Sequence, residues 1–341
     1  MAPLVYTQEE LMQSHDYASP HFEANICLHG GFDDTGTYIP PRLLHRGPAI
    51  EAWTAALRKR GGDLLEADSS LLGGVRYPSL AQTKLLLREG LGQTFWNTLT
   101  ITGKIEARGQ ILATLSFPDF QDAVEPDLSG WALGHLNKGL LHAHGIDEGG
   151  EPESGIGGHD AMWFALRDLA FGDVDYPDAI VPDGIGRPET TQQQFPEVPN
   201  AIERTIYFLL NLLLIEFRAE RGFSMTEDLL RDPELFIDRR SEAEHAAEIV
   251  GRIRTDELVH VSSLRLYLGE IRELAFNARS GGAVSGREIV DTMWRDIVHW
   301  ATVEQPKLAA AQQRELYIER IGVHPESERL LEEFHALEET S

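Results

Sequence analysis

One cysteine, Cys27, stands in 341 residues, which excludes an internal disulfide and fits a reducing compartment. Long apolar runs are missing too. The longest, residues 206–215, is interrupted by Asn211 and bounded by Glu203 and Glu216, well short of the roughly 20 residues that span a bilayer. The N-terminus carries Glu9, Glu10 and Asp16 and no basic apolar leader, so no secretion signal is expected and the chain reads as cytoplasmic. Positive charge is scarce: 55 acids face 30 bases, only 5 of them lysine. The resulting net charge of −25 repels nucleic acid and anionic membranes, and neither is expected as a partner. No phosphate-cradling Gly-x-x-x-x-Gly-Lys-Ser/Thr motif and no Gly-x-Ser-x-Gly elbow occur. The Gly-rich stretches Gly149-Gly150 and Gly155-Ile-Gly-Gly158 lack the preceding strand a dinucleotide fold needs.

What is present suits a globular chain. Apolar content of 42% and charged content of 25% allow one large core or two ordinary ones. Residues 1–80 read as irregular, with turn clusters at 30–36 and 39–42 and one short helix at about 47–60. Residues 79–115 carry helical spacing, weakened by the β-branched run 98–102. Further helices are expected at 131–144, 159–171, 200–221, 241–278, 286–303, 307–321 and 326–339, with Gly222 stopping one and Ser241 and Glu244 capping the next. A long loop covers 172–199. With no repeat and no alternating strand pattern, the chain reads as mainly α.

Within 241–278 lies Arg252-Ile-Arg-Thr-Asp-Glu-Leu-Val-His260. Glu257 and His260, three apart, project from neighbouring points on one helical face and can grip one metal ion. Chance alone yields roughly two acid-x-x-His matches in such a chain, and four occur: Glu242/His245, Glu257/His260, Asp296/His299 and Glu332/His335. Context singles out Glu257/His260, which shares its face with Ile253, Val261 and Leu264 and follows the all-apolar helix 206–215. A hairpin hinged within 223–240 sets Glu257 about 17 residues into its helix and opposite Glu203 rather than Glu216. The competing reading is a structural ion pair with Arg204 or Arg254. Asp296/His299 is a rival donor pair, and His159-Asp160 reads as a helix start, with Asp at the positive end of the dipole. Tyr207, one turn after Glu203, reads as core.

The segment Arg254-Thr-Asp-Glu257-Leu-Val-His260 resembles the Arg-Asp-Glu-x-x-His signature of the ferritin-like di-iron carboxylate proteins, a superfamily that includes the ribonucleotide reductase small subunit and several oxygenases. The resemblance spans about residues 200–275. It implies a ferritin-like bundle over 81–341, with residues 1–80 as an irregular extension packed on it and additional C-terminal helices. It also implies a glutamate on the preceding long helix, matched by Glu203, and a second carboxylate and Glu-x-x-His pair earlier in the chain. No Glu-x-x-His occurs between residues 80 and 200. Glu106 stands as the lone carboxylate. Among His135, His142 and His144, helical projection turns His144 inward with Leu133, Leu136 and Leu140, while His135 and His142 point away. If the helix survives Gly145, Glu148 joins His144 on that face. The expected donors are thus Glu106, His144, Glu148, Glu203, Glu257 and His260. The expected cofactor is iron, two ions or one, with manganese as the alternative. The implied activity is O2-dependent oxidation of a small organic substrate fed by an electron donor. A homodimer is left open. The alternatives are a non-catalytic helical scaffold with Glu257/His260 as an ion pair, and a di-iron site on a haem-oxygenase-like frame.

Overall fold

The computed structural model describes residues 4–74, 76–189 and 192–338. In chain order the elements are α1 (Gln8–Met12), the hairpin β1 (His21–Glu23) and β2 (Ile26–Leu28), the hairpin β3 (Gly31–Phe32) and β4 (Tyr38–Ile39), α2 (Arg46–Lys59), α3 (Leu80–Arg88), α4 (Gln93–Gly109), α5 (Leu141–Gly149), α6 (His159–Phe171), α7 (Asn200–Arg231), α8 (Arg240–Arg272), the hairpin β5 (Ala275–Asn277) and β6 (Ala283–Ser285), α9 (Gly286–His299), α10 (Gln305–Gly322) and α11 (Ser327–Ala336). The mainly α expectation holds at this level. The short antiparallel hairpins, pairing Phe22 with Cys27, Phe32 with Tyr38 and Phe276 with Val284, carry too few residues for period-two patterning to show. The expected end of the last helix, residue 339, lies outside the described residues.

Helices α7 and α8, of 32 and 33 residues, form the central antiparallel hairpin. Arg254 Nε of α8 donates to Glu220 of α7 at 3.1 Å, and its Nη1 to Glu227 at 2.5 Å. Gly222 does not stop α7. A glycine inside a helix costs only about 1 kcal/mol relative to alanine, and Phe223, Thr226, Leu229 and Leu230 are buried beyond it. The hinge therefore falls at 232–239, not 223–240. Ser241 sits inside α8, where its hydroxyl donates to Glu242 at 2.9 Å rather than capping.

Helix α4 forms despite its threonines, because Thr98, Thr100 and Thr102 donate their hydroxyls to carbonyls one turn back at 2.9–3.1 Å. The helix expected at 131–144 is displaced. Lys138 and Gly139, the latter at φ +109°, break the backbone. Helix α5 starts only at Leu141, passes through Gly145 and ends at Gly149.

The N-terminal region is integral to the packing. Tyr6, Leu11, Trp53, Leu57 and Leu65 share one core with Ile206, Leu209, Leu210, Leu264 and Ile271. A second core joins α4, α6 and the paired halves of α7 and α8, and a third seats Leu330 and Phe334 of α11 on α3. Among the described residues no helix is long and apolar enough to cross a membrane.

Glu270 on α8 ties the 133–140 segment down, accepting from Leu133 N at 2.8 Å and from Arg60 at 3.2 Å. Burial, the largest effect, pushes its carboxyl up to about 7 from an unfolded value near 4.5. The folded state thus gains from the protonated form; the gain is full below about 4.5 and is lost as pH rises through 7, on the order of 3 kcal/mol in all. Urea unfolding of chelator-treated protein at pH 5 and pH 8 is expected to show a smaller loss of stability for Glu270→Gln than for wild type. Equal losses would contradict the assignment.

Candidate metal centre

Five helices deliver seven donor side chains to one buried point: Glu106 from α4, His144 and Glu148 from α5, His159 from the first turn of α6, Glu216 from α7, and Glu257 and His260 from α8. They form two groups, His144/Glu148/Glu216/His260 and Glu106/Glu148/His159/Glu257, each with its donor atoms within 4.8 Å of one another. Glu148 belongs to both: its Oε1 lies 3.2 Å from His260 Nδ1, 3.4 Å from His144 Nε2 and 3.6 Å from His159 Nδ1. Glu257 also spans them, with Oε1 3.2 Å from His159 Nδ1 and Oε2 3.0 Å from His260 Nδ1. His144 Nε2 lies 3.1 Å from Glu216 Oε1, and its ring stacks on His260 at 3.7 Å.

The outer nitrogens of two imidazoles are held by buried aspartates. His260 Nε2 donates to Asp147 at 3.3 Å, and His159 Nε2 donates to Asp256 at 3.1 Å. Asp147 accepts further from Arg42 at 2.7 Å and Arg46 at 2.6 Å. Asp256 accepts from the Tyr38 hydroxyl at 3.0 Å and lies 3.3 Å from His29 Nε2. With Nε2–H so engaged, Nδ1 of each ring faces the carboxylates, and loss of its proton leaves the tautomer a metal ligand requires. The bracing is reciprocal. Asp147 adjoins Glu148 on α5 and orients the histidine of α8; Asp256 adjoins Glu257 on α8 and orients the histidine of α6.

Close helix approach brings Glu148 to the centre. A Cβ on Gly109 would lie 2.6 Å from Glu148 Cγ, and one on Gly145 would lie 2.2 Å from Ala113 N. Only glycine lets the end of α4 and the turn after it meet α5 this tightly.

Six carboxylates, five buried (Asp147, Glu148, Glu216, Asp256, Glu257) and one half-buried (Glu106), face two buried guanidiniums, Arg42 and Arg46. The difference is four negative charges, the charge of two divalent cations. Without metal the cluster must hold protons. Burial and the charges of Glu148 and Glu257 respectively push Glu106 and Glu216 well above the usual carboxylate range. Burial opposes ionised Glu148 and Glu257. It is outweighed at Glu148 by the proton shared with Glu106 and by His159, and at Glu257, held at about 2, by His260 and His159. Burial likewise opposes charged His159 and His260, but Glu148 and Glu257 hold both well above the usual histidine value. Burial and His260 depress His144 to about 4. Glu148 Oε1, His159 Nδ1 and Glu257 Oε1 make no hydrogen bond of acceptable geometry although all are buried. Three orphaned donor atoms at one point, amid carboxylates that only protons or cations can balance, fit a dinuclear cation site.

Five of the expected donors meet here: Glu106, His144, Glu148, Glu257 and His260. Glu203 does not. Its carboxylate accepts from the backbone N–H groups of Gln194 at 2.6 Å and Phe195 at 2.9 Å, and it lies 13 residues, about 20 Å along α7, from Glu216. Continuation of α7 past Gly222 shifts the hairpin register and puts Glu216 opposite Glu257. His159 both begins its helix and joins the cluster. His135 is buried rather than outward, accepting from Tyr6 N at 3.1 Å and donating to Trp131 O at 2.7 Å; His142 meets Gln8 at 3.3 Å. Asp296 and His299 lie apart: Asp296 lines a cleft of about 740 Å³ with Glu203 and Tyr207, and the His299 side chain is 61% exposed. The Tyr207 hydroxyl is half-buried and donates to Pro188 O at 3.0 Å. One signal was available for the missed residues. The chain contains two Asp-Glu dipeptides, 147–148 and 256–257, and both are here.

Glu106 and Glu216 are the most exposed donors, at 11% and 8% of their side chains. The 172–199 loop crosses this edge. Lys104 and Arg108, flanking Glu106, hold Asp178 at 2.5 Å and Pro182 O at 2.8 Å. Asn211, before Glu216, accepts from Arg187 N at 2.8 Å. Glu203 anchors the far end of the loop.

No family model, curated protein or solved structure matches this chain.

Two outcomes are expected. Glu216→Gln lowers the number of metal ions bound per chain, whereas Glu203→Gln leaves it unchanged and instead increases proteolysis of the 172–199 loop; the reverse pattern would restore the Glu203 register. Loading the chelated protein with divalent metal at pH 7 releases protons, up to about four per chain, measurable by calorimetry in buffers of different ionisation enthalpy. Binding without proton release would contradict the charge count.

Proposed function

We propose that this chain is a ferritin-like di-iron protein that activates O2 to oxidise a small organic substrate, taking electrons from a separate donor. The observation that carries the reading is the pair of donor groups sharing Glu148, with six carboxylates and only two guanidiniums around it. A donor set of four carboxylates and three imidazoles, with no thiolate, suits iron, or manganese as the alternative, over softer metals. Iron held there supplies the binding and reduction of O2, which carboxylates and imidazoles cannot perform.

The residues have distinct tasks. Glu106 and His159 serve one group, His144, Glu216 and His260 the other, and Glu148 and Glu257 stand between them. Asp147 and Asp256 hold the imidazole rings in place, with Arg42, Arg46 and Tyr38 fixing the aspartates in turn. The apolar face of α7 keeps water from one side. The 172–199 loop covers the edge at Glu106 and Glu216, the direction in which a substrate has least protein to cross. The arrangement departs from two Glu-x-x-His pairs in supplying the first half from His144 and Glu148 on α5 and His159 on α6, which adds a third imidazole.

Metal analysis after anaerobic loading with Fe(II) is expected to give about two ions per chain, and admission of O2 an absorption change in the near ultraviolet and visible. Glu257→Ala and His260→Ala should lose both. A wild-type chain that stays metal-free and folded under these conditions would sink the proposal and leave the ion-pair scaffold.

A further inference from the structure

On the face of α7 turned away from Glu216, three arginines gather without a counter-charge. Arg218 and Arg221 are two and five residues beyond Glu216, so at about 100° per residue they project from the opposite side of the helix. Arg76, from the segment preceding α3, lays its Nη1 over Gly222, 3.9 Å from where a Cβ would sit. Arg221 donates to the carbonyls of Gly73 and Gly74 at 2.6 Å, and Arg218 to Gln305 at 3.4 Å. Among the described residues, none of the three has a carboxylate within ion-pair distance, although 37 other pairs form. In a chain of net charge −25, where acids are plentiful, such a gap is a specific feature of this place. Burial and Arg221 both work against the charged forms of Arg76 and Arg218, as expected of guanidiniums crowded together with no anion between them.

Arg76 and Arg221 border a pocket of about 350 Å³ lined also by Leu72, Leu80, Glu220, Ser224, Met225 and Asp228. Glu220 is already engaged by Arg254. The pocket thus offers the Arg76 guanidinium, the charge of Arg221, whose Nη1 and Nη2 are taken by the Gly73 and Gly74 carbonyls, one hydroxyl and walls of leucine and methionine, beside the Asp228 carboxylate. A guanidinium fork matches the two oxygens of a carboxylate or phosphate, and leucine and methionine suit a short apolar body.

We propose that this pocket binds a small organic oxyanion, a carboxylate or phosphate group carried on a short apolar body, at a site separate from the metal centre. The anion supplies the counter-charge that Arg76 and Arg221 lack, and it links α7 to the segment before α3.

Thermal unfolding of the full chain, titrated in parallel with inorganic phosphate, hexanoate and sodium chloride at matched ionic strength, tests this. A saturable rise of about 2 °C at ten times the half-saturating concentration, absent with chloride, is expected from at least one oxyanion. Phosphate alone acting identifies a phosphate site; hexanoate acting more strongly identifies a carboxylate with an apolar tail. Arg76→Gln, which removes the fork, and Ser224→Trp, which fills the pocket, should each abolish the rise while leaving metal content unchanged. No rise beyond that with chloride, or a rise that persists in whichever variants fold, would overturn the proposal.

Discussion

Burying a carboxylate among apolar helices is costly unless its charge is met, and this chain gathers six around one point, five of them buried, with only two guanidiniums to meet them. Much of the architecture can be understood as the means of holding that concentration of charge together. Arg42 and Arg46 neutralise Asp147, which frees Glu148 to serve the centre rather than pair with an arginine. Asp256 takes the outer nitrogen of His159, so the inner nitrogen faces Glu257. Remove either aspartate and a histidine loses its orientation as well as its partner.

The same constraint explains why residues 4–74 are not a detachable cover. They supply Arg42 and Arg46 to one aspartate, Tyr38 and His29 to the other, and Tyr6, Leu11 and Trp53 to the largest core. The long 172–199 loop has an equally definite place. Lys104, Arg108, Asn211 and Glu203 fasten it across the side where the donors come nearest to solvent. Glu203, which counting along the hairpin sets opposite Glu257, is instead a fastening point for what covers the edge of the cluster.

Sequence reading recovers the mainly helical class and five of the seven clustered side chains, and its errors have physical causes. Gly222 looks like a stop, but the packing of Phe223, Leu229 and Leu230 exceeds the small cost of one glycine, and the nine extra residues of α7 move the partner of Glu257 from Glu203 to Glu216. Lys138 and Gly139 break a helix that the spacing of Leu133, Leu136 and Leu140 predicts, so the outward placement of His135 fails while the inward placement of His144 survives. His159 shows only its role as a helix start, because nothing local reveals that three other helices converge on its ring.

By itself the sequence determined the mainly helical class, the absence of an internal disulfide and of an apolar run as long as a bilayer requires, and the inward faces bearing Glu257/His260 and His144/Glu148. These properties depend on composition and on a period of 3.6 residues, both local. Only the tertiary structure decided that Glu216 rather than Glu203 faces Glu257, that His159 closes the cluster, and that Glu148 is shared between two donor groups. Those facts depend on where helices end and how closely their backbones meet, at Gly109 and Gly145 above all. Such distances are set by packing across the whole chain, and no window of neighbouring residues contains them.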